Sequence, residues 1–169
     1  MSTRITTCLW FDTQAEPAAR LYTSLVPDSE VLGVNHYGSE NEHGPTGSVL
    51  QVEFRLGTQH YVALNGGPHF TLSPAASIQV YCPDQAEVDR LWDALTADGG
   101  EESMCGWLTD RFGLSWQIIP TRLAELAGDP DPERASRAIA AMLRMRRIVV
   151  AELEAAADGI AEATGASDA

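Results

Sequence analysis

The chain contains no lysine; all eleven of its basic residues are arginines. No Schiff-base nucleophile and no phosphate-gripping P-loop lysine is therefore available. Positive charge is scarce as well: 11 bases face 24 acids, a net charge of −13, which disfavours nucleic acid and anionic membrane surfaces as partners. Cysteines number three, Cys8, Cys82 and Cys105, with no CxxC pair, a usage that fits free thiols in the cytoplasm better than a disulfide framework. No uninterrupted apolar run reaches the ~18 residues of a membrane span, and no apolar leader follows Met1. What remains is ordinary globular material: 44% hydrophobic and 21% charged residues over 169 positions, enough for one domain or two small modules.

Ile5 to Phe11 is β-branched and aromatic, and Thr13-Gln14-Ala15-Glu16 has capping-box spacing, so a strand and then a helix are predicted. Ala15, Ala18, Ala19, Tyr22, Leu25 and Val26 give that helix one apolar face, which ends at Pro27-Asp28. Strands are predicted at Val31–Tyr37, Ser48–Leu56 and His60–Leu64. After Gly66-Gly67-Pro68 the pattern repeats. Ser77–Cys82 reads as a strand, Asp84-Gln85-Ala86-Glu87 opens a helix buried through Val88, Leu91, Trp92 and Leu95, and short strands follow to Pro120. Each unit reads βαβββ. Beyond Asp129-Pro130-Asp131-Pro132, one long helix, with room for a kink, is predicted to Ala157. Its Arg134, Arg137, Arg144, Arg146 and Arg147 suit a face packed on the acidic body, a partner subunit or an anion. The expected organisation is a single α+β domain over residues 1–157, with module one at 4–66, module two at 76–120, a helical extension at 121–157 and a flexible tail at 158–169.

Alternate strand residues face opposite sides of a sheet. One parity is apolar: Ile5, Leu9, Phe11; Leu50, Val52, Phe54, Leu56; Val62, Leu64; Ile78, Val80; Leu114, Trp116, Ile118. The other carries Thr6, Cys8, Trp10; Gln51, Glu53; Tyr61, Ala63, Asn65; Ser77, Gln79, Tyr81; Ser115, Gln117, Ile119. Amides beside aromatics suit a concave surface that orients a small organic ligand, which makes Trp10, Gln51, Tyr61, Asn65, Gln79, Tyr81 and Gln117 the candidate ligand-binding residues. Glu53, among Gln51 and Tyr61, is the candidate general base, with an ion pair to a neighbouring arginine as the plainer reading. His36, His43, His60 and His69 show no paired metal-binding spacing on a helix, although His43 shares a loop with Glu40 and Glu42 and His69 lies where it could border the rim. Cys8 has the inward parity, with packing the plainer role. Asp110 reads as a turn residue before Arg111-Phe112-Gly113.

The run from Cys105-Gly106-Trp107-Leu108-Thr109-Asp110 through Phe112-Gly113-Leu114-Ser115-Trp116-Gln117-Ile118-Ile119-Pro120 closely resembles the signature of the PhnB-like branch of the vicinal oxygen chelate superfamily. That superfamily includes glyoxalase I, bleomycin-resistance proteins and extradiol dioxygenases. Leu9-Trp10-Phe11-Asp12 and the Asp129–Ala156 helix with Met142 and Met145 extend the resemblance over roughly residues 4–157. It implies paired βαβββ modules forming a glyoxalase-like cup, usually in a homodimer. It also implies four His, Glu or Gln metal ligands from the first and last strands of the modules. Carried onto this chain, those places hold Thr6, Ala63, Ser77 and Gln117, of which only Gln117 is ligand-capable, so neither a metal nor another cofactor is expected. PhnB-like sequences are often labelled demethylubiquinone methyltransferases, but no Gly-rich strand-to-helix turn with a following acid supports a nucleotide cofactor here. The leading expectation is thus a cytoplasmic, homodimeric small-molecule-binding protein. The alternatives are a lyase or isomerase acting on a carbonyl or enediol substrate with Glu53 as base, and a structural dimer with a vestigial cup.

Overall fold

A computed structural model describes residues 3–39 and 44–160. The loop group His43, Glu40 and Glu42 and most of the expected tail lie outside the described residues. The chain divides into two compact units, Met1–Pro74 and Ala75–Ala169.

The first unit runs β1 (Thr7–Phe11), α1 (Ala15–Leu25), β2 (Glu30–His36), β3 (Val49–Leu56) and β4 (Gln59–Asn65), with sheet order β1-β4-β3-β2. The outer pairs β2–β3 and β3–β4 are antiparallel, and β1 joins β4 in parallel because α1 carries the chain across. Ala15, Ala18, Ala19 and Tyr22 recur at helical spacing and are buried against Leu9, Phe11, Val52 and Phe54 of the sheet. Phe54 stacks on Tyr61 with ring centroids 5.2 Å apart.

The second unit repeats the plan: β5 (Ser77–Cys82), α2 (Gln85–Thr96), β6 (Glu101–Glu102), β7 (Trp107–Thr109) and β8 (Ser115–Pro120), in the order β5-β8-β7-β6 with β5 parallel to β8. Val88, Leu91, Trp92 and Leu95 of α2 are buried, as are Leu108, Trp116 and Ile118 of the sheet. Asp84 caps α2 as its spacing predicts, accepting the Glu87 N–H at 2.9 Å. Asp110 ties the last hairpin: its carboxylate accepts the Phe112 N–H (2.8 Å), the Leu114 N–H (3.1 Å) and the buried Trp116 indole N–H (2.8 Å).

Two expectations fail. Thr13 does not cap α1; the cap position is Gln14 without a side-chain bond, and the Ala15 N–H is taken by the Asn65 side-chain oxygen at 2.8 Å. The single helix expected beyond Asp129 is two short ones, α4 (Pro132–Met142) and α5 (Val150–Ala157), and α3 (Thr121–Ala127) precedes them within the helical extension. The break has a tertiary cause. Cys105 and Gly106 donate their N–H groups to the Met145 and Arg146 carbonyls (2.7 and 2.8 Å), while the Gln85 side chain bonds both Ile148 O and Val150 N. These three helices enclose their own core of Leu123, Leu126, Ala138, Ala141, Met145, Ile148, Leu153 and Ala157, which also buries Ile119 of β8. Among the described residues no helix is long and apolar enough to cross a membrane.

Candidate functional site

Each sheet buries one face under its helix and leaves the other more open, and pairing registers decide which side chains share a face. In the first unit Leu9 pairs with Ala63, Phe11 with Asn65, Phe54 with Tyr61 and Val52 with Ala63, so Tyr61, Ala63 and Asn65 stand on the core face. That corrects the expected parity of β4. Tyr61 is buried in the stack on Phe54, and burial pushes its hydroxyl pKa up. Asn65 is buried with its amide committed to the Ala15 N–H and to the Val49 carbonyl (3.0 Å). It borders a cavity of about 260 Å³ with Thr13, Glu16 and Ser48, on the α1 side.

The open face of the first unit is instead formed by Cys8, Trp10, Gln51, Glu53, Val62 and Leu64, since Cys8 pairs with Val62, Glu53 with Val62 and Gln51 with Leu64. Trp10 is held firmly. Its indole N–H donates to Gly67 O at 2.9 Å, Phe70 meets it edge-on with centroids 5.0 Å apart, and its ring lies where any side chain on Gly66 would stand. Glu53 faces the Arg4 guanidinium at 3.5 Å, and Arg4 also donates to His60 Nδ1 at 3.3 Å. The carboxylate is therefore a partly exposed ion-pair partner, the plainer of its two expected roles. Partial burial raises the Cys8 thiol pKa, which leaves it a poor nucleophile.

In the second unit the expected parity holds for Ser77, Gln79, Tyr81 and Gln117, whereas Ser115 and Ile119 are buried. Ser77, Gln79 and Tyr81 pair with Ser115, Gln117 and Ile119, and Gln117 pairs with Trp107 on its other side. Tyr81 is 58% exposed. The Gln117 amide donates to Ser77 Oγ at 2.8 Å, a bond that orients it along the sheet. Ile119 departs from the open set because the C-terminal helices cover it. Arg4, Gly66, Phe70 and Trp107 are the contributors that alternation alone did not single out. The β7 alternation, with Leu108 inward, carried the signal for Trp107; Phe70 and Gly66 lie outside any strand, where no periodicity operates.

The repeat supplies a test of the metal set. The core-facing pairs Leu9–Ala63 and Val80–Ile118 are equivalent in their sheets, so Trp10 corresponds to Tyr81, Thr6 to Ser77, and Val62, not Ala63, to Gln117. The corrected positions hold two hydroxyls, an isopropyl group and one amide already bonded to one of those hydroxyls. Neutral hydroxyls and a single amide do not fit a divalent cation, which needs several imidazole or carboxylate donors converging. Among the described residues no three His, Cys, Asp or Glu side chains come together.

Residues 3–119 match the family described as 3-demethylubiquinone-9 3-methyltransferase. The chain belongs to that family. Within it, the chain is 34% identical to the PhnB protein from Bacillus cereus, over 70% of this chain and 99% of that one, with a TM-score of 0.63. The protein PA1353 from Pseudomonas aeruginosa shares the fold at 22% identity, covering 70% of this chain and 98% of its own, TM-score 0.58. A glyoxylase/bleomycin resistance protein/dioxygenase domain from Frankia sp. EAN1pec is matched more distantly, at 12% identity over 71% and 92% of the two chains, TM-score 0.42. No curated protein matches significantly. The PhnB-like assignment thus holds for the paired βαβββ units. The family match stops at residue 119, so the C-terminal helices, read from the sequence as part of the same resemblance, lie outside it.

Proposed function

We propose that this PhnB-like protein binds a compact planar organic molecule without a metal. The observation that carries the reading is the donor positions of each unit, Thr6 and Val62 in the first and Ser77 and Gln117 in the second, none of them an imidazole or a carboxylate, while each unit carries aromatic and amide groups on its own open face. Trp10, Gln51, Gln79, Tyr81 and Gln117 present flat apolar surface and hydrogen-bonding edges on the open faces, the combination that orients small ligands. Tyr61 and Asn65 leave the candidate set because their groups serve the core and the α1 terminus. Glu53, paired to Arg4, serves as a wall residue that orients polar edges of the ligand. A methyl-transfer role would need a cradle for a nucleoside-bearing methyl donor, and the turns before α1 (Asp12-Thr13-Gln14) and α2 (Pro83-Asp84) contain no glycine. The free cysteines support a reducing, cytoplasmic setting.

The test is titration of the purified protein with a panel of planar phenols, quinones and aromatic carboxylates, following indole emission, beside elemental analysis and a parallel titration with S-adenosylmethionine. Saturable binding by a panel compound that weakens about tenfold or more in Trp10→Ala supports the reading. Stoichiometric zinc, nickel, manganese or iron that the ligand requires, or tight binding of the methyl donor, would sink it.

A further inference from the structure

The 99% coverage of the Bacillus cereus chain uses only 70% of this one, and the family match ends at residue 119, so α3, α4 and α5 have no counterpart in that relative. They form a body with its own core, yet they leave apolar surface uncovered. Ile139 and Leu143, one helical turn apart on α4, are 39% and 58% exposed, and Ile160 is 63% exposed. Between α4 and α5 runs a groove of about 370 Å³ lined in part by Ala140, Arg144, Glu152, Ala156 and Ile160.

The charges on this surface point to what covers it. Every other arginine of the described residues has a carboxylate within 4.0 Å; among the described residues Arg144 has none, and Glu152 in the same groove has no ion-pair partner either. The chain also concentrates its negative charge elsewhere. Residues 1–120 hold five arginines and fifteen acids, whereas 121–160 hold six arginines and seven acids, so this near-neutral body is where a second copy of so acidic a chain meets least repulsion. A two-fold axis brings residue i of one copy to residue j of the other and the reverse. A cation and an anion that line one groove, each without an ion-pair partner among the described residues, are thus self-complementary under that symmetry.

We propose that the α4–α5 groove and the exposed side of α4 next to it form an interface between two copies of this chain, closed by two reciprocal Arg144–Glu152 pairs in the groove and by Ile139 and Leu143 packing at its margin. The inference is independent of the ligand reading above.

Sedimentation velocity and light scattering of the full chain over a concentration series test it. The wild type should associate, and Ile139→Glu with Leu143→Glu should remove one association step, halving the mass, while circular dichroism stays native, since both residues are exposed. Arg144→Glu alone and Glu152→Arg alone should each raise the dissociation constant about tenfold or more, because each converts both pairs to like-charge contacts, and the double reversal should bring it back to within a few-fold of wild type. A wild-type monomer at roughly 100 μM, at which only very weak contacts would be missed, assigns the face to some other partner and overturns the proposal. So does an unchanged mass in the double glutamate variant, which places any association elsewhere. A double reversal no better than the single ones overturns the reciprocal pairing.

Discussion

Gly66→Ala should dislodge Trp10 without touching the ligand surface directly. An alanine Cβ at this position would lie 2.2, 2.3 and 2.5 Å from three atoms of the indole ring, against ordinary contact at 3.4–4 Å, so something must retreat by more than 1 Å. The backbone is the stiffer party: Gly66 is buried and its N–H donates to Phe11 O at 2.9 Å. The indole must therefore swing away, giving up its bond to Gly67 O and its edge contact with Phe70. The hydrogen bond is worth about 0.5–1.5 kcal/mol and the aromatic contact a similar amount. Trp10 is only half-buried and can recover water on leaving, so the net loss should fall near 1 kcal/mol, at the low end of that range. Urea unfolding would read the stability, and near-ultraviolet circular dichroism the ring's loss of a fixed environment. The functional consequence is sharper: if Trp10 is a stacking surface, Gly66→Ala should weaken any ligand nearly as much as Trp10→Ala. An alanine variant with a wild-type near-ultraviolet spectrum and unaltered stability would refute the reasoning, because the ring would then have had room to spare.

Three other outcomes follow from the geometry. Asp110→Asn keeps an oxygen for the Phe112 and Leu114 N–H groups but turns a second donor toward the buried Trp116 indole, which should cost about 1–3 kcal/mol; in Asp110→Asn/Trp116→Phe that penalty should largely vanish, and a double-mutant cycle with no coupling would contradict the assignment. Burial, aided by Glu87, pushes the Cys82 thiol up to about 12 from 9.0. Since the folded value exceeds the unfolded one, the neutral thiol's contribution to stability is intact below pH 9 and lost as pH rises from 9 toward 12. Cys82→Ala should accordingly show a flatter alkaline decline in urea midpoint than wild type, and parallel declines would count against it. Glu53→Gln should leave ligand affinity within about threefold of wild type, the small change expected on removing an exposed ion pair, whereas complete loss of a measurable turnover would restore the general-base reading.

The order of elements was legible because its signals are local. Asp84 with Glu87, the 3.6-residue spacing of Ala15, Ala18 and Tyr22, and the alternation of Val52, Phe54 and Leu56 each state a preference that the fold then honours. In β4 the residues Tyr61-Val62-Ala63-Leu64 are apolar on both parities, so alternation has nothing to distinguish and the strand can be read either way round. What settles it is the hairpin. Gly57, at φ +55°, and Thr58 make a two-residue turn that pairs Leu56 with Gln59, and counting back sets Phe54 opposite Tyr61 and Val52 opposite Ala63. The candidate site inherited the error, since Tyr61 and Asn65 entered it by parity alone. The α1 cap misled for a different reason: Thr13 offers a local oxygen, but Asn65, fifty residues on, delivers a better placed one from the sheet. The division of the last helix was invisible because no glycine or proline marks it; Cys105, Gly106 and Gln85 of a distant hairpin and helix draw off the carbonyls that would have continued the turn.

Setting the two units over each other shows where this chain put its chemistry. At the last outward position of the first strand both carry an aromatic ring, Trp10 and Tyr81, and four residues earlier both carry a hydroxyl, Thr6 and Ser77. The partner strand is where they part: Val62 in one, Gln117 in the other. A cation site would need this very pair of positions to be strong donors, and an isopropyl group removes one of them outright. In the second unit the amide survives but is bonded to Ser77, so one of its two N–H donors is spent on a neighbour and the other N–H and the oxygen remain to offer. What both units carry is a ring and, four residues earlier on the same face, a hydroxyl, and what they lack is the donor. A surface kept for stacking and hydrogen bonding, with its ligand positions released to ordinary packing, is the physical content of a binding role, and it is why Trp10 and the glycine beneath it are the most informative places to perturb.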